Sequence, residues 1–367
     1  MKPLRPSIAL LVALAGCAST PDSTLRQTAG LRVPRAVHTA TALPDGRVLL
    51  AGGCVTDGCG TATATTEIYD TRSARFAAGP RLTGPRDGHT ATPLPGGRVL
   101  LAGGYAGEGR GALATTETCD ATRCERAGSL AAARGAHATV ALRDGRVLVI
   151  GGAQAPGSTE SCRAPCAHFD PGPPLAHPRH SHTATVLQDG RVLIVGGYDA
   201  GGHAIAATEL LGSPNRGQTP VRAPEQGSDP GSGALGTARG KHAAVALPDG
   251  RVLVIGGSAD TETRNRLAST EVYDPRTGRF TPGPDLQSAR YKLPAAAALL
   301  PDGRVLVAGD SASPEIVDVR RGVSVAVSGG VAGAFATATP LGAGRTLIAG
   351  GYDDRIAVSG AAFVVRP

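Results

Sequence analysis

The apolar and polar positions of the chain fall into one arrangement that returns seven times. Each copy opens on small residues in alternation, as in HTATAL at 38–43, and turns through a polar LPDG or LRDG. It then runs through consecutive aliphatics, as in RVLLAGG at 47–53 or RVLVIGG at 251–257. The period-two stretch predicts a strand crowded on both faces, and the continuous apolar run predicts a short buried strand. The Asp-Gly between them predicts a hairpin turn in which Gly takes positive φ. Glycine pairs at 52–53, 103–104, 151–152, 196–197 and 256–257 end the second strand where no side chain fits. A third strand carries Thr-Glu (Thr66-Glu67, Thr116-Glu117, Thr159-Glu160, Thr208-Glu209 and Thr270-Glu271). In TEIYDTRSARF and TEVYDPRTGRF it continues through a hairpin into a fourth, outer strand.

Aligned on the Gly-Arg dipeptide, successive copies are 41 to 60 residues apart. A period near fifty marks a propeller, in which each unit buries its faces only against its neighbours. The expected fold is therefore all-β: a seven-bladed β-propeller of four-stranded antiparallel blades over residues 25–367. Blades should start near 35, 86, 134, 179, 239, 290 and 333. The seventh copy ends at AAFVVRP, too soon for its own fourth strand, whereas LRQTAGLRVP at 25–34 precedes the first copy. The N-terminal strand is thus expected to complete the last blade and remove the free edge.

The double glycine, the Tyr-Asp of the third strand and a following aromatic (Phe76, Phe169 or Phe280) together resemble the kelch repeat. The RxxHTATxLxDGRVLxxGG pattern is similar to the bacterial kelch branch that includes the propeller of galactose oxidase. That resemblance implies four-stranded blades, with one face commonly used to bind partners. It does not bring copper radical chemistry with it. Such a site needs a tyrosine cross-linked to cysteine, a tyrosine followed by histidine and a further histidine, whereas Tyr291 is followed by Lys292 and no Tyr-His pair occurs.

Composition refines this picture. Fifty-two Gly and 28 Pro suit many turns, and with aromatics at 3% and no Trp the core must be aliphatic. Of the 37 basic residues behind the net charge of +7, thirteen are arginines at two fixed places in the repeat, each close to Asp or Glu. Charge spread evenly around a scaffold excludes a nucleic-acid stripe, which needs clustering and interleaved aromatics. Residues 1–16 read as a secretory signal with a basic start and an apolar run at 8–15. Leu-Ala-Gly-Cys at 14–17 resembles a bacterial lipobox, which implies cleavage before Cys17, its lipidation and a short linker to residue 24. Ala18, with no Asp at that position, resembles the outer-membrane class. The expectation is a membrane-tethered monomer in the cell envelope. The other cysteines form close pairs, Cys54 with Cys59, Cys119 with Cys124 and Cys162 with Cys166. In an exported chain these are expected to be three local disulfides. Zinc is the rival reading, against which stand unequal spacings and the placing of each pair in a different repeat.

His38, His89, His137, His182 and His242 all head the innermost strand. A shared metal is not expected, because blades pack about 10 Å apart while zinc needs nitrogens within about 2.1 Å. Repetition favours a structural contact, with each His and the Arg three residues before it bonding to carbonyls or to the Thr-Glu of its own or an adjacent blade. Counted back from Gly-Arg, the matching places are Lys292 and Ala295 in blade 6 and Gly333 and Ala336 in blade 7, so the mouth should be less polar there. Tyr105, Tyr198 and Tyr352 follow the glycine pairs directly; with Lys292 they are binding-face candidates, and packing over the blade edge is the alternative. Phosphate-loop, Gly-x-Ser-x-Gly and His-Glu-x-x-His motifs do not occur, and no cofactor is expected. Blade 4 carries a Gly/Pro/Ser-rich stretch at 212–238 that reads as a mobile surface loop. Two functions remain open: a binding or scaffolding module for protein or glycan, and a carbohydrate-active propeller enzyme of mutarotase or lyase type. Converging Arg, Glu and His in a compact pocket would favour the enzyme; an open face with tyrosines would favour the binder.

Overall fold

Four consecutive aliphatics with no polar position can only be buried on both sides, and the second strand of every blade is placed to do so. In blade 1 the inner strand Thr39–Ala42, the second strand Val48–Ala51, the third strand Thr66–Asp70 and the outer strand Arg75–Ala78 form one antiparallel sheet. Leu49 and Ala51 point into a cluster with Val99 and Leu101 of blade 2. Val48 and Leu50 point the other way, to Leu347 and Ala349 of blade 7. The same division recurs around the molecule, giving one apolar cluster at each of the seven blade interfaces. The core is therefore a ring of seven thin layers, each fully buried Leu or Ile contributing about 1.5–3 kcal/mol.

The computed structural model describes residues 24–212, 233–261, 265–311, 313–329, 333–353 and 355–366. The expected signal segment 1–16 and Cys17, together with most of the 212–238 stretch, lie outside the described residues. Inner strands neighbour one another in chain order, and that of blade 7 (Thr337–Gly342) returns to that of blade 1, so the ring closes. Six blades have four strands; blade 4 has three among the described residues (Thr183–Val186, Val192–Val195 and Thr208–Leu211), and its stretch 213–232 is outside them.

Closure follows the sequence expectation. The strand Thr24–Gln27 pairs antiparallel with Ala362–Arg366, the third strand of blade 7, with Thr24 opposite Arg366 and Gln27 opposite Phe363. Leu31 then buries against Tyr69 and Phe76 of blade 1. The two aromatic positions of the repeat meet each other: Tyr69 with Phe76 and Tyr273 with Phe280, at ring-centroid distances of 4.8 and 4.9 Å. Among the described residues the only helical pieces are the three-residue turns Asp57–Cys59 and Pro95–Gly97, and no helix is long and apolar enough to cross a membrane.

Candidate functional site

The recurring Arg and Glu meet inside each blade. Arg35 donates to the carbonyls of Gly52 and Thr65 and to Glu67 Oε1 at 3.0 Å. Glu67 in turn accepts the backbone N–H groups of Arg32 and Val33, fixing the chain as it enters the blade. Arg86–Glu117, Arg134–Glu160, Arg179–Glu209, Arg239–Glu271 and Arg290–Glu315 repeat the pair, all buried. Buried ions are tolerated when they are paired and most of their polar atoms are hydrogen-bonded; of these six arginines only Arg86 and Arg290 leave Nε without a partner among the described residues. The second recurring arginine sits in the hairpin: Arg47, Arg146, Arg191, Arg251 and Arg304 each bond the Asp two residues earlier, at or near the surface. Both sets are scaffold, as the sequence pattern indicated.

The histidines divide from the arginines. Each of four reaches the inner strand of the preceding blade rather than the Thr-Glu of a third strand: His38 Nε2 to Thr337 Oγ1 (3.3 Å), His89 to Thr39 (3.0 Å), His137 to Thr90 (2.9 Å) and His242 to Thr183 (2.9 Å). His182 lacks this bond because Ala138 stands where blades 1 and 2 have Thr39 and Thr90, and neither of its nitrogens has a partner. All five are buried. Burial, with the adjacent Arg35, Arg134 or Arg239 charge, pulls His38, His137 and His242 down to about 3. They are neutral interblade contacts.

In blade 6 the count back from Gly-Arg misplaces the repeat, because the stretch after Arg290 is two residues longer than its counterparts. A Cβ on Gly52 would meet the Arg86 carbonyl at 2.3 Å and His89 Cε1 at 2.9 Å; one on Gly256 would meet the Arg290 carbonyl at 2.7 Å and Leu293 Cδ1 at 3.1 Å. Leu293 therefore takes the histidine place and Arg290 the arginine place; Lys292 and Ala295 do not. Blade 7 has Gly333 and Ala336 there, as counted. The buried layer is less polar across blades 6 and 7, but the mouth above it is not.

The residue before each histidine place is what reaches the mouth. Val37, Gly88, Ala136, Ser181, Lys241, Lys292 and Phe335 all adopt left-handed backbone, with φ between 51° and 59°. This conformation is unusual for anything but glycine. Bonds between blades hold it: Ser181 N–H donates to the Ala136 carbonyl, Lys241 N–H to Ser181 and Phe335 N–H to Lys292. All seven are half-buried. Blades 1 to 3 present small or aliphatic side chains, whereas blades 5 to 7 present two cations and a ring.

Lys292 Nζ donates to Tyr352 Oη at 2.6 Å and lies 4.8 Å from the centroids of Tyr291 and Tyr352 and 5.6 Å from that of Phe335. Burial presses its pKa down, but bonds to Tyr291 and Tyr352 outweigh this and hold it above the usual lysine value. Lys241 is lowered by burial and by the Lys292 charge. Neither lysine has a carboxylate at ion-pair distance among the described residues. Arg266 stacks on Tyr291 at 4.6 Å and pairs with Asp310, which accepts the Tyr291 N–H.

The tyrosine candidates separate. Tyr198 is completely buried, donates to the carbonyls of Ser258 and Asp260 in blade 5, and fills the space a Cβ on Gly240 would occupy, 2.3 Å away. Tyr105 lies likewise over Gly135 of blade 3 and is half-buried. Tyr352 packs on Ala36 of blade 1 but keeps its hydroxyl on Lys292. Lys241, Tyr291 and Phe335 were not singled out from sequence. Counting two residues forward from the recurring Arg239 would have found Lys241, and from Gly333, which stands at the same place in blade 7, Phe335.

Three disulfides join Cys54 to Cys59, Cys119 to Cys124 and Cys162 to Cys166, as expected. Among the described residues one group offers three candidate metal-ligand atoms, Cys54, Cys59 and Asp87, and two of these are bridged to each other. A groove of about 720 Å³ between the outer edges of blades 3 and 4 is lined by Arg146, Arg163 and His168 on one side and by Leu211 and Gly212 on the other.

Compared with known proteins, residues 239–287, which form blade 5, match the kelch motif. The solved structure of YjhT is similar over 92% of this chain and 96% of its own, with a TM-score of 0.59 at 11% identity, a likeness of fold. No curated protein matches by sequence. The chain is a seven-bladed propeller carrying a kelch motif.

Proposed function

We propose that this propeller is a binding module of the cell envelope, tethered through a lipidated Cys17, which holds an anionic group of a protein or glycan at the mouth across blades 5 to 7. One observation carries the reading: Lys241 and Lys292 are half-buried and close enough for the Lys292 charge to act on Lys241, without a carboxylate partner among the described residues, and Lys292 lies against aromatic rings. Two like charges held close and partly desolvated repel each other, and a bound anion relieves the repulsion. Phe335, the half-exposed ring of the cluster, offers a flat apolar face beside them. The Arg–Glu pairs and the histidines act as separate blade locks beneath the surface, an arrangement that favours the binder over the carbohydrate-active enzyme.

The test is a glycan array carrying neutral, carboxylated and sulfated oligosaccharides, run beside affinity capture from native envelope with the mature chain. Acidic ligands should be retained, lose affinity with salt, and bind the Lys241→Gln/Lys292→Gln variant at least about tenfold more weakly at an unchanged melting temperature. Equal binding by wild type and variant, or silence in both assays, would overturn the proposal.

A further inference from the structure

The three disulfides differ in what stands beside them. Cys162 and Cys166 are both buried, and among the described residues neither that pair nor Cys119–Cys124 belongs to a group with a carboxylate close to both sulfurs. At Cys54–Cys59 the Asp87 carboxylate of the next blade lies within 4.8 Å of both sulfurs. Cys54 is wholly buried, while Cys59, at the end of the turn Asp57–Cys59, is half-exposed. Asp87 is itself 92% buried, since its exposure is 8%. No hydrogen bond or ion pair to its carboxyl is present among the described residues. Its backbone is pinned by paired bonds with Tyr105, and its neighbour Arg86 is turned inward to Glu117. The Tyr105 phenol interacts electrostatically with it, and the two cysteines that face it are bridged to each other and do not titrate while the bond is closed.

We infer that Cys54–Cys59 is an exchange-active disulfide, opened and closed by small thiols with Asp87 as its proton carrier. The thiolate of an external monothiol, of the glutathione class, attacks the accessible Cys59 sulfur. The Cys54–Cys59 bond breaks, a mixed disulfide forms on Cys59, and Cys54 leaves with the electron pair and takes the proton of the Asp87 carboxylic acid. A second monothiol then displaces Cys59 from the mixed disulfide. The products are the protein dithiol and one external disulfide, two thiols having been oxidised and one protein bond reduced. In the reverse direction the Asp87 carboxylate accepts the Cys54 proton as that sulfur attacks. Leaving-group protonation speeds such exchange, and a carrier works best when it titrates near ambient pH. Burial lifts Asp87 to about 6, within reach of that range.

The loop has a reader. Gly58 N–H donates to the Ile356 carbonyl, and Asp57 accepts the Val358 N–H; Val358 bridges to Tyr352, which holds Lys292. Opening the disulfide therefore loosens a support of the mouth.

The experiment treats the folded chain with glutathione, traps free thiols by alkylation over time and quantifies each cysteine by mass spectrometry. Cys54 and Cys59 should be trapped at least about tenfold faster than the other two pairs, which serve as internal references. Corrected for glutathione thiolate, the wild-type rate should fall as pH rises from 5 to 8. Asp87→Asn should flatten that profile and slow opening about tenfold at pH 6, whereas Asp87→Glu should restore the pH dependence. Unchanged reference pairs report that each variant is folded. Opening no faster than the references, or an Asp87→Asn profile identical to wild type, would overturn the inference.

Discussion

Blades 2 and 7 share a backbone and differ in what locks it. In blade 2 Arg86 joins two carbonyls to Glu117, and His89 reaches back to Thr39. In blade 7 the corresponding places are Gly333 and Ala336, and the strand Thr24–Gln27 comes from the other end of the chain to complete the sheet. Blade 6 is intermediate, keeping Arg290–Glu315 but replacing histidine with Leu293. The difference teaches that the polar lock is one of several ways to hold a blade, and that ring closure substitutes for it where it is missing.

Three experiments press on that comparison. Deleting residues 25–34 removes the substitute from blade 7 and also the Leu31 packing and Glu67 partners of blade 1, so it should have the largest effect. Thermal unfolding followed by circular dichroism should show a melting temperature lowered by roughly ten degrees. Arg86→Ala makes blade 2 resemble blade 7 without a substitute. It leaves Glu117 buried and unpaired, and should cost about 3–5 kcal/mol in urea titration. A loss under 1 kcal/mol would mean the pair is replaceable anywhere in the ring.

The smallest effect tests blade 6. His137→Leu should change stability by less than about 1 kcal/mol at pH 8, since Leu293 already fits that place. Acid should separate the two proteins. His137 titrates at about 3 when folded against about 6.5 unfolded, so the unfolded chain takes up its proton first. Stability is complete above the unfolded value and is lost as pH falls from about 6.5 toward 3. Denaturation midpoints measured from pH 7 to 4 should therefore fall less steeply for His137→Leu than for wild type.

Blade number, strand order and closure were legible because each rests on local pattern: aliphatic runs, glycine pairs and a copy that stops short. The disulfides were legible from spacing and their expected export. What escaped depends on register across blades. The threonine partners of the histidines lie in the preceding blade, and the extra two residues after Arg290 shift Lys292 away from the place that counting assigned it. Tyr198 illustrates the same limit. Its burial is decided by Gly240, 42 residues later, whose missing side chain leaves the space that the ring fills. Asp87 drew no notice because an acid becomes chemically distinctive only beside the sulfurs that folding brings to it.

The left-handed ring at the mouth has an evolutionary consequence. Its conformation is imposed by interblade backbone bonds and is already occupied by Gly, Ala, Ser, Val, Phe and Lys. Those seven places are consequently free to vary independently of the locks below them. A lineage can rewrite the chemistry its rim presents by point substitution, leaving the architecture that folds it unaltered.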